Sequence, residues 1–270
     1  MRLHHIRNAT CIIESSEHFI LIDPMLSHQG ELPPFSLFKH KAKKNPIVPL
    51  PLQAAGLLEK VTDCLITHSQ TFGLKILQHT DHLDKRGEAF LISKNIPVVS
   101  VEKDVAYLKK QHLNVVDGLV FWEEKPYLSG HIMAIPAQHG YGWIHRYMAN
   151  GAGYFIELAN EPSVYICGDT ILTADVRKAI VELKPDVVIL AAGNASLDVG
   201  GDLLMNMHDI LEVIRISPNK VIANHMDALN HCGISRKALK IALEKENVLH
   251  KVWILEDGES IELSNEAKRA

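Results

Sequence analysis

Apolar and polar positions alternate from the start of the chain. Leu3–Glu14 and Phe19–Asp23 are rich in β-branched residues, and polar Ser15–Glu17 lies between them, which predicts two strands joined by a turn. The periodicity then lapses. Pro24 to Pro51 is rich in Pro, Lys and Ser and is too long for a bare connection, so a lid or substrate loop is expected there. Leu52–Lys60 predicts a helix, Cys64–Thr67 a buried strand, Val98–Ser100 a short strand and Lys103–Lys110 a helix. In the second half, His131–Ala137, Tyr154–Leu158, Val164–Cys167, Val187–Ala191 and Val221–Ala223 predict strands. Ala174–Leu183, Leu204–Ile216 and Ser235–Glu244 predict helices, the last capped by Ser235. The closing VWILEDGESIEL predicts a hairpin turning at Asp257-Gly258. Strands open and close the chain and alternate with helices between, the order of an α/β protein whose mixed sheets are covered by helices. One domain spanning residues 1–270 is expected, since no repeat period, low-complexity tract or linker interrupts the pattern.

Composition narrows the classes. Hydrophobic residues make up 47% of the chain and charged residues 22%, enough for a sizeable core and against disorder. The net charge of −4 carries no basic face, so no nucleic-acid partner is expected. The N-terminus has no continuous apolar stretch before a small-residue cleavage site, and no apolar run approaches the ~20 residues of a membrane helix. Cys11, Cys64, Cys167 and Cys232 form no CxxC pair, and three sit in apolar strand-like runs, the pattern of reduced, buried thiols. A cytoplasmic protein with a small-molecule substrate and no membrane partner is expected.

The chain holds 16 histidines, and their positions decide whether they share a role. Five segments place metal-capable groups just after predicted strands or in a dense cluster: Thr67-His68, His79-Thr80-Asp81-His82-Leu83-Asp84, His139-Gly140, Gly168-Asp169-Thr170 and His225-Met226-Asp227. Loops at strand ends are where α/β folds gather a site. Imidazoles suit borderline divalent metals, and a carboxylate can bridge two of them. Each segment alone has a plainer reading: a lone histidine as a solvated residue, Gly168-Asp169-Thr170 as a turn with Asp169 as a helix cap. Their joint order is far more specific.

That order resembles the metallo-β-lactamase superfamily, in particular the L-ascorbate-6-phosphate lactonase-like hydrolases. The family pattern is T-H-x-H-x-D-H, a lone His before Gly, G-D-T after a strand, and a last His after a strand. HIRNATCIIE and LIDP near the start resemble the same subgroup, and the likeness runs from Met1 to about Leu239. It implies a four-layer αββα sandwich with a centre of two divalent metals, Zn²⁺ or Mn²⁺. It implies His68, His79 and His139 on the first metal, Asp81, His82 and His225 on the second, and Asp169 bridging. Asp23 in LIDP would orient a ligand imidazole, against its plainer reading as a turn residue before Pro24. Resembling enzymes often assemble, and the resemblance implies a homo-oligomer in the same way.

One departure bears on function. The family has one residue between its first two histidines, and this chain has ten, Ser69 to Gln78, between His68 and His79. In one outcome the segment loops out and the two histidines still meet, because loop-closure entropy grows slowly with length. In the other, Leu74–Leu77 replaces Cys64–Thr67 as the strand entering the motif and Leu77 stands where the first histidine belongs.

The expected reaction is metal-assisted hydrolysis, with Asp81 and Asp169 in catalytic roles and Asp81 taking a proton from the attacking water. The resemblance implies a lactone, including a phosphorylated sugar lactone, or a related small ester. A phosphodiester of a small metabolite is the alternative, and a metal-binding protein whose catalysis is impaired by residues 69–78 is another. His145, Arg146 and His231 are candidate substrate-binding residues. Arg7, Lys39 and Lys41 are further cations that could meet an anion, or solvated surface charges.

Overall fold

The computed structural model describes residues 1–75 and 78–264. Among the described residues fourteen strands form two seven-stranded sheets. The first contains β1 (Arg2–Arg7), β2 (Thr10–Ser15), β3 (His18–Ile22), β4 (Asp63–Ile66), β5 (Val98–Val101), β6 (Val115–Leu119) and β14 (Ser260–Glu262), in the order β14-β1-β2-β3-β4-β5-β6. The second contains β7 (Glu124–Tyr127), β8 (Gly130–Pro136), β9 (Ala152–Glu157), β10 (Val164–Ile166), β11 (Val187–Ala191), β12 (Lys220–Asn224) and β13 (Val252–Ile254), in sequence order across the sheet. Both sheets follow one plan. Antiparallel pairs occupy one side, from β14 to β3 and from β7 to β10. Parallel pairs occupy the other, from β3 to β6 and from β10 to β13.

Strand periodicity explains the layering. Successive side chains point to opposite faces, so Ile20 and Ile22 of β3 join the core between the sheets while Leu21 turns outward. In β11, Val187 and Ile189 face inward, and Val188 and Leu190 face outward. Strands apolar on both faces need cover on both. The outer face of the first sheet packs with α1 (Ala54–Leu58), α2 (Lys85–Ser93) and α3 (Glu102–Lys110). The outer face of the second packs with α4 (Ala174–Leu183), α5 (Met207–Ile216) and α6 (Arg236–Lys245). The result is the four-layer αββα sandwich. Among the described residues no helix is long and apolar enough to cross a membrane.

Four helices begin on side-chain caps. Asp84, Thr173, Asn206 and Ser235 accept from the backbone N–H three residues on, at 2.8, 3.1, 3.1 and 3.2 Å. Asn206 explains why α5 starts at Met207 rather than at Leu204, and Asp84 starts a helix that apolar periodicity does not show.

The structure corrects three expectations. Leu3–Glu14 is two strands, not one, because Asn8 turns the chain with φ 58°. Asp257-Gly258 does turn, but no hairpin results: β13 pairs with β12 in the second sheet and β14 with β1 in the first. Gly258 N–H donates to His5 O at 2.8 Å, so the turn is held by β1. Both sheets have an open edge there, and unpaired edge groups draw the two strands apart. Arg7 is no surface cation. It is fully buried, and its guanidinium donates to the carbonyls of Val48, Met25 and Ser27 at 2.9–3.0 Å, which fastens the 24–51 loop to β1.

That loop is tied down at its far end as well. Asp198 accepts from the Ser36 hydroxyl at 2.6 Å and from the Leu37, Phe38 and Lys39 N–H groups at 2.8–3.0 Å, holding its own carboxyl below the usual carboxylate range. Buried Asn230 accepts from Phe35 N–H at 2.9 Å and donates to Ser36 O at 2.7 Å. This brings Phe35 to the edge of the sandwich where the histidines gather.

Candidate metal centre

The strand ends converge. His68 follows β4, His139 follows β8, Asp169 follows β10 and His225 follows β12, while His79, Asp81 and His82 sit on the turn leading into α2. Two glycines make the approach possible. A Cβ on Gly151 would lie 2.5 Å from the Cβ of His68, so only glycine lets the chain entering β9 pass there. Gly168 has φ +65°, the left-handed turn that swings Asp169 into the site. His225 and Asp23 also stand at positive φ, 59° and 46°, a strained backbone of the sort concentrated at functional positions.

Two groups of potential ligand atoms result. Those of His68, His79 and His139 lie within 4.8 Å of one another, and so do those of Asp81, His82, Asp169 and His225. The groups adjoin: the His68 and His82 rings are 4.0 Å apart between centroids. Asp169 Oδ2 lies 3.1 Å from His82 Nε2, 3.4 Å from His225 Nε2 and 3.9 Å from His139 Nε2.

His68 and His79 meet across the ten residues between them, their ring centroids 4.9 Å apart. The strand entering the motif is β4, and His68 follows it after Thr67. His79 N–H donates to Ser69 O at 2.9 Å, and Gln70 pairs with Gln78 in an antiparallel bridge, so the segment leaves and returns at one place. Ile76 and Leu77, part of the alternative strand Leu74–Leu77, lie outside the described residues. Buried Asp104 of α3 accepts from the Ser69 N–H at 3.0 Å and its hydroxyl at 2.7 Å. Nothing local in the sequence points to that partner, which stands 35 residues away in a helix whose first turn reads as ordinary acidic composition.

The imidazoles are oriented from behind. Asp23 Oδ2 lies 2.9 Å from His82 Nδ1 and accepts from the Thr67 hydroxyl at 2.7 Å, while its Oδ1 accepts from the Thr67 N–H at 2.8 Å. A threonine hydroxyl donating to Asp23 has only its lone pairs left for His68 Nδ1, 3.0 Å away, so that nitrogen carries the proton. His139 Nδ1 faces the Leu203 carbonyl at 3.4 Å. In each case the distal Nε2 is turned toward the centre, as metal-ligating imidazoles require.

Electrostatics separates the groups. Burial pulls His68 well below the ordinary imidazole range, takes His79 down to about 3 and lowers His139, with neighbouring imidazoles adding to it. Burial also opposes charge on His82, but Asp169, Asp23 and Asp81 override it and push His82 up to about 10. His225 is raised against its burial by Asp169. Burial raises the Asp169 and Asp81 carboxyls, but the histidines (His225 and His82 for Asp169, His82 and His79 for Asp81) bring both below their ordinary value.

A cleft of about 470 Å³ opens over the centre, with His79, Asp81, His139 and His231 at its base. His231 is buried, its ring edge-on to Phe35 at 5.2 Å, and burial lowers it to about 4. The other two substrate-binding candidates lie elsewhere. His145 lines a separate cleft of about 310 Å³ with Lys103 and Asn150, and Arg146 is exposed on the short 3-10 turn Ile144–Tyr147. Phe35 escaped the sequence reading, hidden in a Pro-rich loop with no periodicity.

Two mixed seven-stranded sheets between helices, with a His/Asp cluster at the strand ends, define a metallo-hydrolase of the metallo-β-lactamase fold, and the chain belongs to that family. It is similar to the structure of a possible metal-dependent hydrolase from Veillonella parvula DSM 2008, with 30% identity, TM-score 0.85 and coverage of 97% of this chain and 98% of that one. It is similar to an isothiocyanate hydrolase from Delia radicum gut bacteria, with 28% identity, TM-score 0.85 and coverage of 97% and 99%. Over 264 residues it is 29% identical to the UPF0173 protein YddR of Bacillus subtilis (strain 168), spanning 96% of this chain and 99% of that one. No protein-family model matches the chain.

Proposed function

We propose that the chain is a two-metal hydrolase that opens a bond at an electrophilic sp² carbon of a small molecule, a lactone or related ester in the first instance. One observation carries this reading. Nε2 of His68, His82 and His225 and both oxygens of Asp169 are buried, face one another and lack hydrogen-bond partners among the described residues. Unpaired buried polar atoms are costly, and five of them spread over two adjoining ligand groups fit cations. His68, His79 and His139 would hold one ion, and Asp81, His82 and His225 the other, with Asp169 between them. Zn²⁺ or Mn²⁺ suits this donor set. Bound there, the ions would supply Lewis acidity and make a water molecule a stronger acid.

The protein's own groups supply the rest. Asp81 lines the cleft as a carboxylate, so it can take the proton of the attacking water. Neutral His231 lines the cleft and can donate to, or accept from, the substrate's oxygen. In lactone opening the water oxygen bonds to the carbonyl carbon, the ring C–O bond breaks, and the ring oxygen takes up a proton. A second reading, an isothiocyanate substrate whose electrophilic carbon is sp rather than sp², is favoured by the similarity to the enzyme from Delia radicum gut bacteria. Elemental analysis with a turnover screen tests the proposal. Two ions per chain are expected, with hydrolysis lost to a chelator and restored by the metal. A chain that stays metal-free after loading, or chelator-insensitive hydrolysis, would sink it.

A further inference from the structure

We infer that residues 71–74, the turn at the tip of the chain between His68 and His79, are a specificity element: with Tyr147 they build an aromatic lip that selects uncharged substrates carrying an apolar tail. The inference rests on the hydrolase reading of the centre and adds what the rest of the substrate must be.

The cleft walls are the first ground. Away from the histidines they are formed by Phe35, Ile144, Tyr147, Met148, Leu197 and Leu203. Among the described residues no lysine or arginine lines them. Lys39 pairs with Asp202 at 3.2 Å, and Arg146 points into no part of this lining. A phosphate brought there would lose its hydration with no guanidinium or ammonium on the walls to replace it. A volume of about 470 Å³ also exceeds what a lactone ring or an N=C=S group fills, and lies in the range of small-molecule sites. The surplus is apolar and suits a hydrocarbon or aryl tail.

The chain around that turn is the second ground. It contributes Thr71 and Gln78 to the lining. Its base is fixed: Asp104 holds Ser69, the Tyr107 hydroxyl donates to Gln78 Oε1 at 3.0 Å, and Gln78 Nε2 donates to Glu88 at 2.9 Å. At its tip, Leu74 N–H donates to Thr71 O at 3.2 Å, closing a turn with Phe72 at φ 56° and Gly73 at φ 70°. A left-handed phenylalanine costs about 1–2 kcal/mol, yet this one is 66% exposed and buries little in return. Its ring meets Tyr147 edge-on at 6.5 Å, and Tyr147 meets Trp143 the same way at 5.9 Å. Tyr147 lines the cleft, and with exposed Phe72 and Trp143 on either side of it three aromatic rings stand in a row, a surface built to receive apolar matter.

The test uses the full-length, metal-loaded protein. Turnover is measured for methyl and 2-phenylethyl isothiocyanate, for γ-butyrolactone and γ-decanolactone, and for 6-phosphogluconolactone. Calorimetric titration with 2-phenylethylurea and with 6-phosphogluconate gives a readout independent of turnover. Tail-bearing members are expected to exceed their short partners in kcat/KM by about tenfold or more. Phe72→Ala and Tyr147→Ala should shrink that ratio through KM and weaken urea binding, and Phe72→Trp should restore both. An unmoved ratio, or 6-phosphogluconate binding as tightly as the urea, overturns the inference. Preferred hydrolysis of the phosphorylated lactone overturns it while leaving the hydrolase reading intact. Urea binding that follows the lip variants in a protein hydrolysing none of these compounds upholds the lip and counts against the hydrolase reading.

Discussion

The two halves of the centre are built from the same side chain and charged in opposite ways. His68, His79 and His139 have burial and one another for company, and all three are pushed toward the neutral form. His82 and His225 are no less buried, but carboxylates face them and both are pushed toward the charged form. Neighbours, not residue type, set the state of each imidazole. In the metal-free protein the first half therefore offers lone pairs ready for a cation, while the second holds protons in the cation's place.

Asp169 belongs to both halves, so Asp169→Ala should have the largest effect. It is expected to empty the centre of at least one ion and to lower turnover by more than the 10–100-fold typical of an outer residue; elemental analysis beside kcat reads both. Single-half variants sharpen the contrast. His68→Ala should leave about one ion per chain, held by Asp81, His82 and His225, and His225→Ala should leave the other; loss of both ions from either variant would mean that the halves do not act separately. Asp23→Asn removes the charge behind His82 and should weaken metal at the second half by roughly 10–100-fold in competition titrations, with the first half little changed.

The smallest expected effect concerns pH. His82 titrates near 10 and His225 also above its ordinary value, so both carry protons at neutral pH and lose them on loading. Affinity at that half should rise with pH. The depressed imidazoles of the first half are already neutral, so its affinity should be flat through the neutral range. Calorimetry in buffers of different ionisation enthalpy would show proton release from the second half of the centre; equal release from both would break the comparison.

Much of this was legible in the sequence because it is local. Val187–Ala191 is a strand apolar on both faces, Ser235 is a cap, and the five His/Asp segments follow strands or lead into a helix. What stayed hidden depends on distant partners. Arg7 reads as a surface charge, but its acceptors come from a loop 18 to 41 residues on. Asp257-Gly258 reads as a hairpin because turn chemistry does not reveal which sheet each arm joins. His145 stands near His139 in sequence, yet the 3-10 turn carries it into another cleft. The course of the chain between His68 and His79 was open in the sequence because its apolar residues suit a strand; contacts that the sequence does not show, from Asp104, the Gln70–Gln78 bridge and the His79–Ser69 backbone bond, bring its ends together.

The pairing of β1 with β14 also bears on how the chain is made. Residues 2–4 find their partners at 260–262, so that edge of the first sheet is bare until residue 262 has been made. At ~5–20 residues per second that edge stays open for roughly 15–50 s, long enough to meet other nascent strands. His225, too, emerges long after His68. The arrival of β14 therefore both covers an adhesive edge and follows the delivery of every contributor to the centre, from His68 to His225.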